Sequence, residues 1–120
     1  MTTSTNYQYV NLDYLNLMTD GDDDMKKVMI DMLFEELPQE LTKMNELYAA
    51  GDLEELKAVS HQMKSTLAVI GNDQMTNANK TLEATLKDGS GTHKIPALLA
   101  TLTELQTKVI AELQLEYRKL

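Results

Sequence analysis

Apolar residues recur along this chain at three- and four-residue steps, and no stretch alternates with the period of two that a strand requires. Leu12, Tyr14, Leu15, Leu17 and Met18 predict a short apolar helix that ends near Asp20 and Gly21 and forms a small lid. Asp22, Asp23 and Asp24 then supply an N-cap and acidic first-turn charge. From there Met25, Val28, Met29, Met32 and Leu33 begin an amphipathic stripe, and Leu37, Leu41, Met44, Leu47 and Tyr48 continue it beyond Pro38. The expectation is one long helix, kinked at the proline. Gly51 closes it and Asp52 caps the next, whose stripe is Leu53, Leu56, Val59, Met63, Leu67 and Ile70.

Gly71 ends that helix, and Asn72 or Asp73 caps a fourth with Met75, Ala78, Leu82 and Leu86 on its buried edge. The run Asp88-Gly89-Ser90-Gly91 stops it. A final stripe of Ile95, Leu98, Leu99, Leu102, Leu105, Val109 and Leu113 tolerates Pro96 in its first turn and extends toward Arg118. Four amphipathic helices with short connections predict an all-α, antiparallel up-down-up-down four-helix bundle with a short additional N-terminal helix. Residues 1–10 are expected to be a flexible lead-in, and residues 11–120 a single domain.

One helix face departs from this pattern. At roughly 100° per residue, His61 points away from the core stripe, with Ala58, Ser65 and Ala68 at i−3, i+4 and i+7 and Lys57 and Lys64 at i−4 and i+3. The imidazole stands in a clearing of small side chains edged with positive charge. Spacing alone supports a merely exposed histidine as well as one that another molecule must reach.

Composition narrows the chemistry. Hydrophobic residues make up 42% of the 120, but aromatics only 5%, so leucine and methionine supply the packing. Nineteen acidic against eleven basic residues give a net charge of −8, which repels a phosphate backbone and argues against nucleic acid. The absence of cysteine excludes disulfides, thiolate metal sites and thiol nucleophiles, and fits a cytoplasmic protein. Met1 to Gln8 lack the features of a signal peptide, and no run is long enough to span a membrane.

No glutamate stands three residues before His61 or His93, so the paired motif of metal-binding bundles is missing and no metal is expected. Asp20, Asp22 and Asp24 imitate the start of a calcium loop, but Met25 falls where its glycine belongs and Asp31 where its glutamate belongs. Gly89-Ser90-Gly91 follows a helix, and reads as a turn and not a phosphate loop. The sequon Asn79-Lys80-Thr81 lies inside a predicted helix and is set aside. His93 reads as an exposed loop residue. The eight methionines could line an adaptable groove, but they coincide with the predicted stripes, which favours core packing. No serine stands in a nucleophile motif, which leaves His61, whose neutral ring is a nucleophile near pH 7.

The stretch Ser60-His61-Gln62-Met63-Lys64-Ser65-Thr66-Leu67-Ala68-Val69-Ile70-Gly71 resembles the histidine-containing phosphotransfer domains of bacterial and eukaryotic phosphorelays. Those four-helix bundles carry His-x-x-Lys-Gly and a second glycine ten positions after the histidine. His61, Lys64 and Gly71 match that register, while Ser65 stands where the family usually has glycine. Phe34-Glu35-Glu36-Leu37-Pro38, Ala49-Ala50-Gly51-Asp52-Leu53 and Leu82-Glu83 are also similar to the family, so that the resemblance covers about residues 12 to 115.

The resemblance implies a phosphocarrier. His61 would take a phosphoryl group from the aspartyl phosphate of a receiver domain and pass it to another receiver. Lys64 would stabilise the phosphate, with Lys57 a weaker candidate for that task, and Glu83 would orient the ring. Lys57, Ala58, Gln62, Ser65 and Ala68 would form the docking surface, together with neighbouring helices and the lid, and Gly71 is the helix-end glycine. The implied partners are response-regulator receivers and a sensor histidine kinase, hybrid or otherwise. No cofactor would be bound by this chain, magnesium would arrive with the receiver, and the carrier would be monomeric without kinase activity of its own. The alternatives are a non-transferring adaptor or inhibitor that binds a kinase or receiver, and a purely structural bundle in which His61 is buried.

Overall fold

The computed structural model describes residues 7–120, which form five α-helices and one 3-10 turn with no strand among them. In chain order these are α1 (Asp13–Thr19), α2 (Asp23–Ala50), α3 (Leu53–Ile70), α4 (Asp73–Asp88), the 3-10 turn Thr92–Lys94, and α5 (Ile95–Arg118). Helix α2 packs against α3 and α5, and α4 packs against the same two, so the four long helices enclose a single apolar core. The short α1 lies on α2 and α3. At 1.5 Å rise per residue the 28 residues of α2 span about 42 Å, close to the 46 Å length of the whole molecule.

The helix ends form where polar side chains satisfy orphan backbone groups. Asp22 Oδ1 accepts from the amides of Asp24 and Met25 at 2.9 and 3.1 Å, so this aspartate serves as a helix cap. Asp52 caps α3 through the Glu55 amide. Of the two candidates for α4, Asn72 is the cap, its Oδ1 2.8 Å from the Met75 amide. Helix α2 continues through Pro38.

Three expectations are corrected. In the first half of α2 the buried residues are Ile30, Leu33 and Leu37, in register with Leu41 and Met44, whereas Met25, Val28 and Met32 are exposed. The apolar residues of this segment form two stripes about 150° apart at helical spacing, and only the one continuous with Leu41 and Met44 faces the core. The methionines divide accordingly: Met44, Met63 and Met75 are buried, Met18, Met25 and Met32 are exposed, and Met29 is half-buried. Leu53 is exposed too, at an end of the core where Leu47 and Tyr48 are only half-buried.

The N-terminal segment is the third. Tyr7 to Val10 are not loose: the Glu112 carboxylate accepts from the amides of Gln8, Tyr9 and Val10 at 2.9, 2.7 and 3.0 Å. Asn72 Nδ2 donates to the Tyr9 carbonyl at 2.8 Å, Asn11 N donates to the Ile70 carbonyl at 2.9 Å, and Val10 is buried. Residues 1–6 of the expected lead-in lie outside the described residues.

Candidate phosphotransfer site

Helices α3 and α4 are locked in register by a buried polar pair. Ser60 Oγ donates to Asn79 Oδ1 at 2.7 Å, and Asn79 Nδ2 donates to the Ser60 carbonyl at 2.9 Å. Both side chains are buried, so each bond excludes a slipped alternative that would leave an unsatisfied group in the core. The same burial removes Asn79 from the reach of any glycosylating enzyme. One residue beyond Ser60 on α3 stands His61, and one turn beyond Asn79 on α4 stands Glu83. The polar pair therefore sets these two side chains opposite each other.

His61 is open to solvent, with 67% of its side chain exposed, while Glu83 beneath it is only 6% exposed. This exposure removes the reading in which the histidine is a core residue. Glu83 Oε2 lies 2.8 Å from His61 Nδ1, and Glu83 Oε1 lies 2.8 Å from Lys64 Nζ. The hydrogen bonds that Glu83 accepts from Lys64 and then from His61 outweigh burial and hold its carboxyl down at about 2. At neutral pH the group is ionised and can only accept. Nδ1 must therefore carry the proton, and in the neutral ring the lone pair belongs to the exposed Nε2.

The structure thus brings together His61, Lys64 and Glu83. Lys57 does not reach Glu83 but pairs with Glu54, its Nζ 3.7 Å from that carboxylate. Gln62, Ser65 and Ala68 are exposed and Ala58 is half-buried, so the small-residue clearing is open around the ring. A cleft lies on the α4 side of His61, edged by Glu54, Lys57, Ala58, Gln62, Glu83 and Lys87. On the α2 side Ser65 borders a mostly apolar groove with Met29, Met32, Leu33, Thr66 and Val69, and the exposed Glu36 stands on its edge. His93, in the 3-10 turn, is exposed and lines neither the cleft nor the groove beside His61.

The sequence reading missed the Ser60–Asn79 pair and Lys87, and it weighed a methionine groove but favoured core packing, which Met29 and Met32 at the groove contradict. Lys87 stands at i+4 from Glu83, a spacing that offered a signal for it, and its charge helps to hold the carboxyl down. Among the described residues no three His, Cys, Asp or Glu side chains cluster as metal ligands, and no helix is long and apolar enough to cross a membrane.

Two outcomes follow for Glu83. Its folded pKa is depressed, so its contribution to stability is fully present above the ordinary carboxyl value near 4.5 and is lost as pH falls from there toward 2. Thermal unfolding of the parent and of Glu83→Gln should differ by about 1 kcal/mol at pH 7, the solvent-exposed partners screening the rest, with the gap closing through that window. Glu83→Ala removes both the acceptor at Nδ1 and the charge beneath the ring and should slow phosphoryl transfer at least about tenfold in single-turnover assays, whereas Glu83→Gln keeps an acceptor oxygen but not the charge and should fall between that variant and the parent.

An all-helical molecule in which a solvent-exposed histidine on a long helix is braced from below by an ionised carboxylate has the build of a histidine phosphotransfer protein. The Hpt domain family model matches residues 28–116, and the chain belongs to that family. Its general role is that of a histidine phosphotransfer carrier, and Hpt domains work with receiver domains and kinases in phosphorelays. The fold is similar to the crystal structure of histidine-containing phosphotransfer protein B from Pseudomonas aeruginosa PAO1, with a TM-score of 0.84 over 98% of this chain and 99% of that one at 19% identity. No curated protein matches the chain in sequence.

Proposed function

We propose that the chain is the phosphocarrier of a two-component phosphorelay, taking a phosphoryl group on His61 from one aspartyl-phosphate receiver and giving it to another. The observation that carries this reading is the exposed Nε2, left with its lone pair because Nδ1–H is held by Glu83. Nε2 attacks the phosphorus, the N–P bond forms, and the bond to the receiver's aspartyl oxygen breaks so that its carboxylate departs with the electron pair. The ring, still protonated at Nδ1, becomes cationic, and the buried Glu83 carboxylate beneath it stabilises that charge without any rearrangement.

Lys64 has a second task. It rests on Glu83 in the free protein, its side chain half exposed, and swings to the phosphoryl oxygens once they arrive. Transfer onward reverses these events on a second receiver. Magnesium belongs to the receiver's acidic site, and this chain contributes neither a cofactor nor kinase activity. We read it as a cytoplasmic monomer that serves a sensor histidine kinase and its receivers, built as an up-down-up-down bundle in keeping with the two-residue connections on either side of α3.

Ser65 in place of the family's usual glycine favours a second reading, a non-transferring adaptor that binds a receiver or kinase. Incubation with a phosphorylated receiver, followed by peptide mapping of the label, separates the two. Transfer predicts label on His61 and its passage to a second receiver. A stable complex with no phosphohistidine would sink the carrier mechanism in favour of the adaptor.

A further inference from the structure

The outward stripe of α2 is methionine-rich although only Met29 in it packs against the core. Met25 and Met32 are 52% and 50% exposed, Met29 lies between them at helical spacing, and Met29 and Met32 line the groove that Ser65 shares. Ser65 is one turn from His61, so a receiver that seats over the imidazole and reaches across Ser65 meets the groove of Met29 and Met32, with Met25 one turn further along α2. The chain has no cysteine to intercept an oxidant first. Its remaining described methionines are Met18, exposed on α1, and the fully buried Met44, Met63 and Met75.

We infer that Met25, Met29 and Met32 form an oxidation site that switches receiver docking, with hypochlorous acid as the class of oxidant. The inference rests on the carrier reading of His61. The thioether lone pair attacks the oxidant, a sulfur–oxygen bond forms, the oxygen–chlorine bond breaks, and chloride leaves while the proton passes to water. Sulfur loses two electrons and chlorine gains them. The product sulfoxide is a strong polar acceptor on a surface that had been apolar and adaptable. A receiver docking there must desolvate it without a partner. The imidazole, Glu83 and Lys64 are untouched, so the site keeps its chemistry and loses its access to partners.

The test treats the protein with limiting hypochlorite and follows three readouts. Peptide mass spectrometry should find oxygen on Met25 and Met32 well before Met44, Met63 and Met75. Transfer from a phosphorylated receiver should slow at least about tenfold, while labelling of His61 by phosphoramidate, a donor too small to need docking, stays unchanged. Methionine sulfoxide reductases should restore transfer. The triple variant Met25→Leu, Met29→Leu, Met32→Leu, compared with itself before and after oxidant, should lose no rate although Met18 is still oxidised. Unchanged transfer by the oxidised parent overturns the switch, as does equal loss by the triple variant or a parallel loss of phosphoramidate labelling. Failure of the unoxidised protein to accept phosphoryl from phosphoramidate overturns the carrier reading instead.

Discussion

His61→Gln is expected to abolish phosphoryl acceptance, with label from a phosphorylated receiver falling by at least about a thousandfold while the thermal midpoint hardly moves. The amide side chain has no nucleophilic lone pair on nitrogen, so no N–P bond can form. Structure makes this loss separable from any folding defect. The ring is 67% exposed, and its one hydrogen bond, to Glu83, can be replaced by a glutamine amide donor. Surface substitutions of this kind stay within about 0.5 kcal/mol. Radiolabel transfer and circular dichroism melts on the same preparation check both halves, and a variant that accepts phosphate as well as the parent would contradict the role given to His61.

Gly71→Ala is the substitution expected to cost the most stability. Gly71 has a φ of +72°, and a Cβ built there would lie 2.5 Å from the Asn11 carbonyl oxygen and 2.9 Å from the Asn11 Cβ. The neighbouring chain cannot easily retreat, because the Asn11 amide donates to the Ile70 carbonyl and the preceding residues, Gln8 to Val10, are held by Asn72 and Glu112. The left-handed backbone and the overlap together should remove about 3 kcal/mol and lower the melting temperature by roughly 10 °C. Gly51→Ala supplies the control. Its φ of +75° is nearly the same, but nothing lies within 4 Å of the added carbon, so only the backbone cost of about 1 kcal/mol remains. Equal losses at the two positions would show that the contact with Asn11 contributes nothing.

Most of the helical plan could be read from the chain because it rests on local chemistry. Stops at Gly51, Gly71 and Gly89 and caps at Asp22, Asp52 and Asn72 lie where backbone ends need them, whatever the helices later touch. The reading failed where two answers had equal local support. Met25, Val28 and Met32 make as good a stripe as Ile30, Leu33 and Leu37, and only the position of the neighbouring helices decides between them. Tyr7 to Val10 resemble any polar lead-in, since their anchor, Glu112, is more than a hundred residues away in sequence. At the site, His61 and Lys64 were legible as one turn of one helix. Glu83 was reached only through the family resemblance, because no periodicity relates α3 to α4. The Ser60–Asn79 pair that fixes this relation left no mark, as serine and asparagine inside a helix ordinarily signal nothing about burial.

That buried pair has a consequence for how such a carrier can diversify. The reactive constellation is fixed by the α3–α4 seam, whereas the apolar groove beside it belongs to α2 and α3. If the proposed carrier docks its receivers over that groove, α3 is common to both tasks but α2 serves only docking, so residues on the outward turns of α2 can drift toward a new receiver while the tautomer of the imidazole stays pinned from the α4 side.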